Sequence, residues 1–331
     1  MIKILDCTLR DGSHINKGLF DESDIEMILL ALEHSLVDYV EVGFLEPGHS
    51  EKALTYFDNI SNIDGIIEKY GNSSQSYGVL LRTDLCSIDL IEPSKLINFF
   101  RIAMYPEHIN DVIRYANRLK ECDYDVSINP IGVSNLSFNQ INELITLCNE
   151  IEVNTFSIVD TNGALGIKKF KQIFEMAHHG LNNDIAIGLH LHENLNQSQS
   201  LVYAALNYEI NDRDIIVDAS INGMGRVPGN LPLELLMQQL CELELKKLDP
   251  RCIYSAATTL RRKYFKKNPW GYQINYAESA RLNINRSYPE YFEKFNLPVT
   301  KIINLLHKVS KSDHAARFNK SFAKNLIDDD K

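Results

Sequence analysis

Eight short apolar runs recur between Ile2 and Ile221, each separated from the next by a longer segment. This alternation constrains the fold more than any other feature. The runs cover residues 2–8, 38–44, 77–81, 99–103, 125–129, 155–159, 185–190 and 215–221. Between them, apolar residues at helical spacing predict helices over 22–34, a run around 52–60, 109–120, 138–150, 167–179, 197–208 and 231–245. The third unit is irregular: SIDLIEPSKL holds at most a short helix. Runs such as VEVGF and DIIVDASI are apolar on both faces, as strands of a parallel sheet covered on both sides must be. Eight strand–helix units predict an α/β fold, a (β/α)8 TIM barrel. An open doubly wound sheet fits less well, because no Gly-rich phosphate loop follows the first strand. After Lys247 the pattern changes. Residues 1–247 read as the barrel domain, and residues 248–331 as a mostly helical C-terminal unit whose last four residues, DDDK, fray.

Composition narrows the function. The 331 residues are 44% hydrophobic, enough for a full core, and the formal net charge of −10 disfavours a general nucleic-acid role. The basic stretch RRKYFKK reads as a solvated helix face. Six cysteines without a CxxC pair read as reduced core thiols of a cytoplasmic protein. No charged leader precedes an apolar segment, and no apolar run approaches the roughly 18 residues of a membrane span.

In such a barrel the active face is built from the C-terminal ends of the strands. Those ends read TLRDGSH, EVGF, VDTNG, GLHLHEN and SINGMGRVPGN. His190 and His192 lie two apart on a strand, so both imidazoles face one side. A carboxylate from the first strand, Asp11, would complete a three-ligand metal face with positions left open. The alternative is that RDG is only a turn and that Arg10 is a structural partner of Asp160 or Glu41. Gly223, Gly225 and Gly229 suggest a tight loop or backbone that approaches a ligand. Asn230 reads first as a cap for the helix after it, and second as a further metal ligand.

Together TLRDG, HLHEN and GMGRVPGN resemble the DRE-TIM metallolyases, over about residues 1–245. That superfamily includes hydroxymethylglutaryl-CoA lyase, isopropylmalate and homocitrate synthases, and pyruvate aldolases acting on 4-hydroxy-2-oxo acids. The resemblance implies a divalent metal ion on Asp11, His190 and His192, with Asn230 as an added ligand. Mn²⁺ is expected, with Mg²⁺, Co²⁺ or Zn²⁺ as alternatives. Ser13-His14 is similar to the Met-His of the 4-hydroxy-2-oxovalerate aldolases, where the histidine is the general base for the substrate hydroxyl. The acyl-CoA branches usually carry Glu-Gln or Leu-Gln there. The resemblance also implies substrate contacts by Arg10, Asp160 and Asn162, and a catalytic tyrosine in NPWGYQINYAESA. Tyr272 and Tyr276 are the candidates, with Tyr272 put first and Trp270 as another occupant of the matching place, and the register among them stays open. Strand two departs from the aldolase pattern, with VGFLEPGH in place of an Ala-His-Gly type sequence, so a different acceptor pocket is implied.

The expected activity is therefore a metal-dependent aldolase joining or separating pyruvate and an aldehyde. A Claisen-type acyl-CoA enzyme on the same barrel and a non-catalytic scaffold subunit are the alternatives. Schiff-base and biotin-dependent carboxyltransfer routes lack a lysine at a strand end. A homo-oligomer is expected. Bacterial aldolases of this type pair with an acylating aldehyde dehydrogenase, but nothing in the sequence shows such a partner.

Overall fold

The computed structural model describes residues 1–208 and 213–329. The end of the predicted DDDK tail, residues 330–331, lies outside the described residues. Nine strands follow in chain order: β1 (Ile2–Asp6), β2 (Tyr39–Leu45), β3 (Tyr56–Phe57), β4 (Ser76–Arg82), β5 (Phe99–Met104), β6 (Asp125–Pro130), β7 (Thr155–Asp160), β8 (Ala186–Leu191) and β9 (Ile215–Ala219). All pair in parallel, in the order β1-β9-β8-β7-β6-β5-β4-β2, and a β1–β2 pairing closes the circle. Two-residue β3 hangs on β2 outside it. The fold is thus a closed eight-stranded TIM barrel ringed by helices, with extra helices at the C-terminal end.

Several helices begin at a side-chain cap. Asp21 and Asp24 build a reciprocal capping box before the helix Glu22–His34, and Ser137 and Gln140 do the same before Phe138–Glu150. Their inner faces join one continuous core with the barrel strands. The helix expected around residues 52–60 lies later, at Ile60–Tyr70, where Asn59 accepts the N–H of Asn62 at 3.0 Å. Residues before it instead press against β2. A Cβ on Gly43 would fall 2.2 Å from the Thr55 carbonyl oxygen, so only glycine permits that approach. The irregular third unit holds one short 3-10 turn, Ile88–Leu90.

The first strand also ends earlier than its sequence suggests. The buried Asp6 carboxylate accepts the N–H of Thr8 at 2.9 Å and its hydroxyl at 2.7 Å. The chain then turns directly into a helix, Thr8–Asn16. TLRDGSH is therefore helical, not the turn that RDG suggested.

Beyond the barrel, Arg251–Leu260 continues through a π-turn, Arg261–Phe265. Its Lys263 is not simply solvated: Nζ bonds Asp21 at 2.5 Å and Asp24 at 2.7 Å. The helices Ile274–Arg281, Ser287–Glu293, Val299–Val309 and Lys320–Asp328 follow. A separate apolar cluster around Tyr288, Phe292, Leu305 and Leu306 holds this unit together. All six cysteines are free, and among the described residues no helix is long and apolar enough to cross a membrane.

Candidate metal centre

The helix Thr8–Asn16 sets the first part of the site. Residues three and four apart share a helix face, so Arg10, Asp11 and His14 point together into the barrel mouth. His14 Nε2 lies 3.7 Å from Asp11 Oδ1. Strand geometry sets the second part: His190 is the penultimate residue of β8 and His192 follows two residues later on the same side. One ligand atom from each of Asp11, His190 and His192 fits within 4.8 Å of the others, and all three residues are buried.

The surroundings fix which atoms face inward. His190 Nδ1 bonds Asp218 Oδ2 at 2.9 Å, and His192 Nδ1 bonds the Gly229 carbonyl at 3.1 Å. Both rings therefore keep Nε2 for the centre. Burial, opposed by Asp11 but aided by His190 and nearby arginines, holds the His192 imidazole well below its ordinary pKa, in the neutral form that ligation needs. Burial alone would raise the pKa of Asp11, but Arg10 and the imidazoles outweigh it and keep the carboxylate ionised.

A line of buried charges connects these ligands from below. Arg10 Nη1 donates to Asp11 at 2.7 Å and Nε to Glu41 Oε2 at 2.6 Å. Arg101 bridges Glu41 at 3.2 Å and Asp218 at 2.5 Å, and Asp218 holds His190. Each charge is thus taken out of water against an opposite one. Arg101 and Asp218 escaped the sequence reading. Their signal was a single charge inside an otherwise apolar strand, FFRIAM and IIVDA, where a buried charge requires a partner.

The glycine-rich loop completes the centre. Asn230 Nδ2 donates to Asp11 Oδ2 at 2.6 Å, while its buried Oδ1 has no partner among the described residues. The expected cap fails, because Pro232 precedes the helix Leu233–Glu242 and no side chain caps it. A Cβ on Gly225 would meet Asp11 Oδ2 and Asn230 Nδ2 at 2.3 Å, so the loop can lie on Asp11 only as glycine. An orphaned amide oxygen beside a carboxylate and two free imidazole nitrogens is a donor set that fits a divalent cation.

A cavity of about 260 Å³ opens above these residues. Arg10, Asp11, His14, His190 and His192 form its floor; Phe44, Tyr56, Leu80 and Leu85 form an apolar wall; Arg226 and Arg286 form another. His14 keeps 34% of its side chain open to this space. Burial of the rest and the charges of Arg226, Arg10 and Arg286 lower its pKa despite Asp11, so the imidazole is neutral.

Three other expected residues are not brought here. Tyr272 is 57% exposed and does not line the cavity, and its neighbours are structural: Trp270 Nε1 bonds the Asn222 carbonyl at 2.8 Å and the Tyr276 hydroxyl bonds Glu293 at 3.0 Å. The Asp160 carboxylate turns away to accept the N–H groups of Ala164 and Leu165, each at 2.9 Å. Asn162 accepts the N–H of Arg286 at 3.3 Å and borders an adjacent cavity. Arg10 pairs with Glu41, not Asp160, and still lines the centre with Nη2 unpartnered among the described residues.

Residues 1–259 match the family model described as HMGL-like. The chain belongs to this family. HMGL-like relatives include 4-hydroxy-2-oxovalerate aldolase 6 of Rhodococcus jostii, 24% identical over 81% of this chain and 76% of that one. Homocitrate synthase of Pyrococcus horikoshii is 24% identical over 72% of this chain and 64% of its own length. Oxaloacetate decarboxylase of Mycobacterium tuberculosis is 22% identical, over 82% and 79%. Among solved structures, the N-terminal domain of a candidate aldolase from Bacteroides vulgatus superposes with a TM-score of 0.79 at 25% identity, covering 91% of this chain and 99% of that domain. Hydroxymethylglutaryl-CoA lyase of Bacillus subtilis shares the fold at a TM-score of 0.64 and 17% identity, over 81% and 95%. The DRE-TIM resemblance of the sequence is therefore correct. This metallolyase family uses a divalent metal, and the Asp–His–His cluster is where this member would hold one.

Proposed function

We propose that the protein is a divalent-metal-dependent aldolase that makes or breaks the bond between pyruvate and an aldehyde, acting on 4-hydroxy-2-oxo acids. The observation that carries this reading is the placement of the His14 imidazole, which opens into the cavity one helical turn from Arg10 and beside the ligand cluster.

Asp11, His190, His192 and the Asn230 Oδ1 would hold the cation, which supplies Lewis-acid polarisation for the 2-oxo acid. Mn²⁺ suits this oxygen–imidazole set best in our reading, and Mg²⁺, Co²⁺ and Zn²⁺ suit it also. Cleavage next to a ketone places negative charge on the C2 oxygen. Arg10, held rigid by Glu41 and Asp11, offers its remaining Nη2 donors to that oxygen. A preorganised donor of this kind stabilises the transition state by roughly 3–4 kcal/mol. His14 takes the proton of the C4 hydroxyl in cleavage and returns it in condensation. The edge of its ring contacts Phe44, 5.5 Å between centroids, which fixes its orientation. Phe44 stacks in turn on Tyr56, and with Leu80 and Leu85 this wall keeps water from the reacting carbons. No lysine lies among the described residues lining the cavity, so the Schiff-base route has no nucleophile there.

The test is pyruvate release from a panel of 4-hydroxy-2-oxo acids with Mn²⁺ present and after chelation. Metal-dependent release is expected. Release of free CoA from acetyl-CoA and a 2-oxo acid, without pyruvate formation, would assign Claisen chemistry instead.

A further inference from the structure

Arg286 is a buried charge with no ion-pair partner among the described residues. It is 1% exposed and sits on the cavity wall supplied by the C-terminal unit. Among the described residues no carboxylate lies within ion-pair distance of it. Its Nη1 donates to the Arg226 carbonyl at 3.1 Å, its Nη2 donates to the Val227 carbonyl, and its buried Nε has no partner among the described residues. One N–H on each Nη is left over.

The other buried arginines are treated differently. Arg10 and Arg101 face Glu41, Asp11 and Asp218. Arg213 uses all four Nη protons on the carbonyls of His178, Leu181, Asn182 and Ile185, a purely structural clamp. Arg226, beside Arg286, has its charge matched by Glu290 at 2.9 Å. Burial and the Arg226 charge push the Arg286 pKa down to about 9, even with Tyr276, Glu290 and Asp11 pulling the other way. A guanidinium in this state is short of an anion.

Its position says which anion. Arg10 serves the floor, where the 2-oxo acid would sit. Arg286 instead shares its wall with Arg226, Asn285 and Ser287, within electrostatic reach of His14. His14 marks the C4 hydroxyl in the aldolase reading, on which this step rests. Groups attached beyond C4 face Arg286.

We infer that Arg286 receives a second anionic group of the substrate, a carboxylate or phosphate carried by the aldehyde-derived part, so that the enzyme acts on anionic aldehydes in preference to neutral ones.

The experiment is condensation of pyruvate, with Mn²⁺, onto acetaldehyde, propionaldehyde, glyoxylate, succinic semialdehyde and glyceraldehyde 3-phosphate, comparing kcat/KM. At least one anionic aldehyde is expected to exceed the neutral ones by about 100-fold, the discrimination a charge-assisted pair supports. The carboxylate and phosphate arms separate the two sources of charge. Arg286→Met should collapse the anionic-to-neutral ratio towards one, and Arg286→Lys, which keeps a cation, should retain part of it. Equal or better rates with neutral aldehydes in the unmodified protein overturn the inference and leave the aldolase reading standing. So does an Arg286→Met variant whose rates fall equally for both classes. Absence of condensation with every aldehyde overturns the aldolase reading itself, and this inference with it. If Arg286→Met does not fold, the preference of the unmodified protein decides.

Discussion

The two ends of the barrel are built by the same eight strands, and both are lined by charge, yet among the described residues only one brings three metal-ligating side chains together. At the N-terminal mouth a cavity of about 200 Å³ is bordered by Lys3, Asp125, Asp184 and Asp214. Lys3 pairs with Asp214 at 3.0 Å, but the two side chains remain 28% and 31% exposed, and water serves each of them. At the C-terminal mouth Arg10 pairs with Asp11 at 2.7 Å with 6% and 3% exposed. There the buried charges beneath the ligands must be answered by one another. The line Asp11–Arg10–Glu41–Arg101–Asp218–His190 does so, and Arg101 and Asp218 form the partition between the two cavities. Burial, more than the number of charged residues, separates a candidate site from a polar rim.

That contrast can be broken from the top down. Replacing Asp11 with Asn removes the one anionic ligand and should abolish tight divalent-metal binding, read by titration calorimetry. His14→Ala should lower turnover by about 100- to 10,000-fold while metal content stays intact, read as kcat beside elemental analysis. Asp218→Asn leaves all ligands in place but loosens His190 and should weaken metal affinity by about 10- to 100-fold. At the other end Lys3→Met should change stability by no more than about 1 kcal/mol in urea unfolding, with metal affinity unaltered. A large effect of Lys3→Met on metal binding would erase the distinction between the two mouths.

Much of this was legible in the sequence, because periodicity records burial. All eight barrel strands lie where apolar β-branched runs occur, and His190 and His192 share a face because a strand alternates. The short segment after β1 was not legible as a helix. Arg-Asp-Gly-Ser has turn chemistry, and it is the Asp6–Thr8 bonds and packing that make it helical. Gly12 fits because Phe20 and Met224 already crowd its position, at 3.2 and 3.3 Å from where a Cβ would stand. Asp160 is the last residue of β7, and Asn162 and Tyr272 lie in loops, where position along the chain does not say where a side chain points. Asn230 shows the reverse: the sequence favoured a helix cap, and the loop folded its amide onto Asp11. Arg286 lies in a helical unit without strand periodicity, and only the assembled fold brings it to the barrel mouth.

The most direct measurement is anomalous diffraction from crystals soaked in Mn²⁺. The account predicts one peak among Asp11 and the Nε2 atoms of His190 and His192, with Asn230 Oδ1 alongside. A vacant position there, or a peak only at the acidic N-terminal mouth, would contradict it.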